Sequence, residues 1–132
     1  MNIKTSTELP CSAQRGFDAW LSEKEHSNMV SDHPKCSFDV KEGGKWRVDS
    51  LEGDFIEIDR QDFRIVMNWR YTDGWDDNEF SKLTVEFVPA SKDTCTIKLN
   101  HTNVPDELGE EVKEGWDDYY FEGMKEYFSK EK

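Results

Sequence analysis

The sequence is poor in the features that mark secreted, membrane-spanning or nucleic-acid-binding proteins. It has only three cysteines, Cys11, Cys36 and Cys95. Their odd number, wide spacing and lack of a C-x-x-C pair argue against a disulfide framework or a zinc site and fit a reducing compartment. Four prolines and eight glycines are too scattered to build a linker, and no repeat or low-complexity tract divides the chain. No apolar run approaches the roughly 20 residues of a membrane span, and none at the N-terminus resembles a signal peptide. Basic residues are scarce: 17 Lys and Arg against 29 Asp and Glu leave a formal net charge of −12. Nucleic acid and anionic membrane surfaces call for basic patches, so neither is expected as a partner. A phosphate loop, a dinucleotide fingerprint and a nucleophile elbow are all missing. The reading is one cytosolic domain over residues 1–132, long enough to bury a core.

Aromatic residues are plentiful: eight Phe, five Trp and four Tyr, too many for a disordered chain. The last quarter, from Val104 to Lys132, is predicted as one long helix. Val112, Trp116, Tyr119, Tyr120, Gly123, Met124 and Tyr127 recur at helical steps, and Phe121 and Phe128 widen that face. Upstream, residues 2–8 read as a strand. Pro10 is expected to open a helix with Ala13, Phe17, Trp20 and Leu21 on one side. The polar stretch Ser22–Pro34 holds at most a broken helical turn near Met29. From Lys35 the period becomes two. Cys36, Phe38 and Val40; Trp46 and Val48; and Phe55 to Ile58 mark short strands, with turns expected at Gly43-Gly44 and Glu52-Gly53. In Phe63 to Tyr71 the residues Phe63, Ile65, Met67, Trp69 and Tyr71 share a face. Leu83, Val85 and Phe87 follow, then Cys95, Ile97, Leu99 and His101. Short connections make these antiparallel neighbours. The fold class is α+β, a curved antiparallel sheet covered by a long C-terminal helix.

Several motifs resemble the C-terminal domain of the activators of Hsp90 ATPase. They are Gly43-Gly44-Lys45-Trp46, Ile65-Val66-Met67-Asn68-Trp69-Arg70, Thr102-Asn103-Val104-Pro105 and, most specific, the run from Gly115 to Lys125, GWDDYYFEGMK. That family belongs to the START-like superfamily, which implies a helix-grip fold. It also implies a co-chaperone that contacts the nucleotide-binding ends of the Hsp90 dimer and favours their ATPase-competent arrangement. Full-length activators carry a separate N-terminal domain with an Asn/Trp/His-rich motif, to which nothing here corresponds. Other relatives of the superfamily bind small apolar molecules between helix and sheet.

The inward faces would bring Met67, Trp69, Leu83, Val85, Leu99 and His101 opposite Trp116, Tyr120 and Met124. These residues either line a ligand cavity, with His101 and Tyr120 as polar handles, or fill a core. On the opposite face Arg64, Asn68, Arg70, Lys82, Lys98 and Asn100 form either ordinary surface charge or a basic docking patch for the chaperone. His26 and His33 read as surface histidines, and with Cys36 they lack a metal-ligand pattern. The acidic loop Asp73, Asp76, Asp77 and Glu79 lacks the register of a calcium loop. No cofactor is expected. Catalysis is not expected either: His101 and Tyr120 are the candidates for an acid or base in the groove, and the sequence implies neither a catalytic geometry nor a shifted pKa for them.

Overall fold

The computed structural model describes residues 1–75 and 79–131. Its sheet has seven antiparallel strands: β1 (Ile3–Leu9), β2 (Cys36–Phe38), β3 (Lys45–Val48), β4 (Leu51–Asp59), β5 (Arg64–Tyr71), β6 (Ser81–Pro89) and β7 (Cys95–Thr102). Their order is β1-β7-β6-β5-β4-β3-β2. The alternation read in the sequence is the pleat itself. Along β6 and β7, Leu83, Val85, Phe87, Cys95, Ile97, Leu99 and His101 are all buried, and the residues between them face outward. All three cysteines are free thiols.

Two short helices follow β1. Helix α1 (Ala13–Leu21) begins at Ser12, whose hydroxyl accepts from the Arg15 N–H, so the cap is Ser12 and Pro10 lies outside the helix. Gly16 packs against Phe87, whose ring would stand 2.7 Å from an added Cβ. Helix α2 (Glu23–Met29) is regular, not a broken turn. Its N-cap is Ser22, and the acids Glu23 and Glu25 sit in its first turn, where the helix dipole favours negative charge.

Three features of the sheet depart from the sequence reading. Val48 pairs with Leu51, so the β3–β4 turn is Asp49-Ser50, with Asp49 at φ 51°, and not Glu52-Gly53. Gly53 lies within β4 because the Trp46 indole crosses it to donate to the Asn68 carbonyl at 3.0 Å. A Cβ there would lie 1.7 Å from that carbonyl oxygen. Phe63 sits in the turn before β5 with φ 53° and is not part of the strand. Finally, β4 carries a bulge between Phe55 and Glu57. It leaves Ile56 exposed while Phe55 is fully buried and Ile58 packs against the core. Two residues three apart can share a face only across such an irregularity, which also bends the strand.

The C-terminal helix starts with a 3₁₀ turn at Asp106–Leu108 and continues as α3 (Gly109–Gly115), a π-helical turn at Trp116–Phe121 and α4 (Glu122–Ser129). In the π turn the Glu122 N–H reaches back five residues to the Asp117 carbonyl. The buried residues Val112, Trp116, Tyr120, Met124 and Phe128 recur every four positions. In an unbroken α-helix each such step drifts by about 40° around the axis. The wider π turn cancels part of that drift and keeps both ends of the stripe on the sheet. It also buries Phe121, while Tyr119 is turned out to solvent. The Tyr119 carbonyl accepts from the Ser31 N–H at 3.0 Å. Gly123 allows this close approach: its Cβ would lie 2.2 Å from the Met29 carbonyl oxygen. The partner of Gly123 is therefore the end of α2, not the sheet.

Candidate functional site

The π turn presents two aromatic donors to two buried histidines. Trp116 Nε1 donates to His101 Nδ1 at 3.3 Å. On the other side of that ring, Ser81 Oγ is 2.7 Å from both His101 Nε2 and the Trp69 carbonyl. The hydroxyl has one proton and the carbonyl only accepts, so Ser81 donates to Trp69 and receives from Nε2–H. His101 is therefore the neutral Nε2–H tautomer. His26 holds the opposite one. Its Nδ1 is 2.8 Å from the Trp20 carbonyl and its Nε2 is 2.8 Å from the Tyr120 hydroxyl, so Nδ1–H donates and Nε2 accepts. Burial pushes His26 down to about 4 and His101 down to about 3, and it pushes the Tyr120 phenol up. Trp116 and Tyr120 themselves pack edge to face, 4.9 Å between centroids. The two histidines thus act as acceptors that position the C-terminal helix, His101 against the sheet and His26 against α1 and α2.

Beside this lock a pocket of about 330 Å³ opens between the C-terminal helix, the β3–β4 hairpin and the segment after α2. Trp69, Trp116 and Tyr120 form its buried base, and Val48, Leu51 and Val112 add apolar wall. Its mouth carries Asp32, Asp49, Glu111, Glu114 and Asp118, all exposed. Burial and the nearby Glu111 charge push up the phenol of Tyr71, which also lines the pocket.

The nine groove candidates divide. Trp69, Trp116 and Tyr120 line the pocket; Met67, Leu83, Val85, Leu99, His101 and Met124 do not and lie enclosed in the core. Val48, Leu51 and the five carboxylates are additional lining residues. The β3–β4 turn brings the first two in, and the pocket takes shape only once that turn is placed at Asp49-Ser50. His26 is buried, contrary to its reading as a surface residue, and His33 is exposed. Asp76 and Asp77 of the acidic loop lie outside the described residues. Among the described residues no cluster of His, Cys, Asp and Glu is arranged to hold a metal ion.

On the outer sheet face, Arg64 is engaged by Glu57 at 2.8 Å and Asp59 at 3.2 Å. Glu86 stands opposite Arg64 on β5 and Lys98 on β7 in the strand register. Asn68 donates to Asp54 at 2.9 Å. Arg70 is buried, 3.3 Å from Glu52 and over the Phe80 ring. Lys82, Lys98 and Asn100 are exposed. The face is therefore a mixed-charge lattice in which Lys82 and Lys98 are the projecting cations of that set.

A seven-stranded antiparallel sheet gripping a C-terminal helix defines the helix-grip class. Residues 10–129 match the family described as Activator of Hsp90 ATPase homolog 1-like protein. The chain belongs to that family. The human activator of 90 kDa heat shock protein ATPase homolog 1 is 28% identical over 98 residues, covering 73% of this chain and 28% of the relative; its mouse counterpart is 26% identical over the same share. The chain thus spans a little over a quarter of the length of these curated relatives. Among solved structures, an HSP90 activator from Plasmodium falciparum superposes with a TM-score of 0.84 at 26% identity, covering 92% of this chain and 91% of that one. CalU16 from Micromonospora echinospora, with a TM-score of 0.80, 15% identity and coverage of 98% and 77%, shares the fold. No helix among the described residues is long and apolar enough to cross a membrane.

Proposed function

We propose that the chain is a non-enzymatic Hsp90-binding module of the cytoplasm that acts on the ATPase cycle of the chaperone. The observation that supports this reading is the similarity to the Plasmodium falciparum HSP90 activator, which extends over nine-tenths of both chains. Activation requires tighter binding to the ATPase-competent state than to the others, because a ligand with equal affinity for all states shifts nothing. The docking surface in this reading is the outer sheet face around Lys82 and Lys98. Purified chain titrated into Hsp90 of the same organism should bind and raise the ATPase rate, and Lys82→Glu with Lys98→Glu should weaken both effects. Unchanged ATPase with no binding signal across the titration would defeat the proposal.

The pocket favours a second reading, a carrier or sensor of a small ligand. At about 330 Å³ it falls at the lower end of ligand-site volumes, roughly 300–1,000 Å³, and it combines an aromatic base with few polar groups at depth.

A further inference from the structure

We infer that the pocket beside the C-terminal helix selects a cationic amphiphile, an organic ammonium with a short apolar body, over neutral or anionic molecules of the same shape. The inference rests on the reading of that pocket as a ligand site and adds the charge of the ligand. Its base of Trp69, Trp116 and Tyr120 and its wall of Val48, Leu51 and Val112 are aromatic and apolar, and would receive the hydrocarbon body. Every charged residue at the mouth is an acid: Asp32, Asp49, Glu111, Glu114 and Asp118, drawn from three separate chain segments. Among the described residues no Lys, Arg or His lines the pocket, and none of the five carboxylates takes part in an ion pair. This contrasts with the outer sheet face, where Arg64 and Arg70 are engaged by carboxylates. A pocket mouth of one sign with low-dielectric walls concentrates the opposite charge and repels its own. The half-buried Tyr71 and the exposed Tyr119, both at the pocket, add aromatic rings to its lining, a group type that attracts an ammonium. An anionic amphiphile would have to place its head among five like charges.

The probes are octyltrimethylammonium, 1-octanol and octanoate, which share a chain and differ in head charge. They are titrated separately into the chain at low ionic strength, with binding read by calorimetry and by the NMR shifts of the Trp69 and Trp116 indole N–H groups. The cation is expected to bind at least tenfold tighter than octanol, and octanoate more weakly than either. Raising salt to 0.5 M should shrink the gap, because the mouth is exposed and screened. Glu111→Gln with Glu114→Gln, both surface changes, should lower cation affinity severalfold and leave octanol binding unchanged. Equal binding of cation and octanol would overturn the charge preference while leaving the pocket as a ligand site. Absence of binding by all three would overturn both.

Discussion

His26 and His101 each hold one aromatic of the π turn, and both do so as neutral rings. Their ordinary value is 6.5, and in the fold they stand near 4 and 3. Below pH 6.5 the unfolded chain takes up protons that the folded chain refuses, so stability is intact above pH 6.5 and falls as pH drops toward 4. At pH 5 the loss is about 2 kcal/mol per histidine, about 4 kcal/mol for the pair. Urea unfolding at pH 7 and pH 5 measures it, and His101→Gln should remove roughly half of the difference. A pH-independent midpoint would mean that the rings are not held neutral. Trp116→Ala removes both a buried indole and the donor to His101, and should cost about 3–5 kcal/mol in the same assay; a loss below about 1 kcal/mol would show that the ring is not gripped. Period-two alternation was enough to place His101 inward. His26 was not legible, because its segment EKEHSNM is polar and buries only His26 and Met29. Its two hydrogen-bond partners, the Trp20 carbonyl and the Tyr120 hydroxyl, come from elsewhere in the fold.

At the level of elements, Gly115 and Gly123 of the C-terminal helix make opposite demands. Each costs helix stability relative to alanine by about 0.8–1.0 kcal/mol. A Cβ at Gly115 would find its nearest neighbour, the Tyr119 ring, at 3.8 Å, an ordinary contact. Gly115→Ala should therefore stabilise by roughly 0.5–1 kcal/mol. At Gly123 the same atom would meet the Met29 carbonyl oxygen at 2.2 Å. That oxygen is backbone and cannot rotate away, so the overpacking cost, typically 1–3 kcal/mol, outweighs the propensity gain and Gly123→Ala destabilises. Thermal melts of the two variants decide the matter, and a rise in Tm for Gly123→Ala would contradict the close approach of α2. Strands β1, β3, β6 and β7 were legible because each buries one side against the core and turns the other outward. The β4 bulge, the Asp49-Ser50 turn and the π turn were not, since each is a correction to a regular period that only neighbouring elements impose. Gly53 reads as a turn glycine until the Trp46 indole is seen lying across it.

For the whole molecule, the aromatic abundance serves two ends of one groove. Toward β6 and β7 the side chains fill the space, and Met67, Leu83, Val85, Leu99 and Met124 are core. Toward the β3–β4 hairpin Trp69, Trp116 and Tyr120 stop short and leave the pocket. Alternation identifies the inward face but not its depth, so the filled and open parts could not be separated before the hairpin was placed. The acidic mouth was visible only as part of an excess of acids, because Asp32, Asp49 and Glu111 come from distant parts of the chain. The proposed action on Hsp90 depends on the chain favouring one state of the chaperone. Its most direct test is calorimetric titration of the chain into Hsp90 of the same organism, with and without a non-hydrolysable ATP analogue. The expected result is measurable binding that tightens with the analogue, where a tenfold gain corresponds to about 1.4 kcal/mol of state preference. No binding, or equal affinity in both conditions, would contradict it.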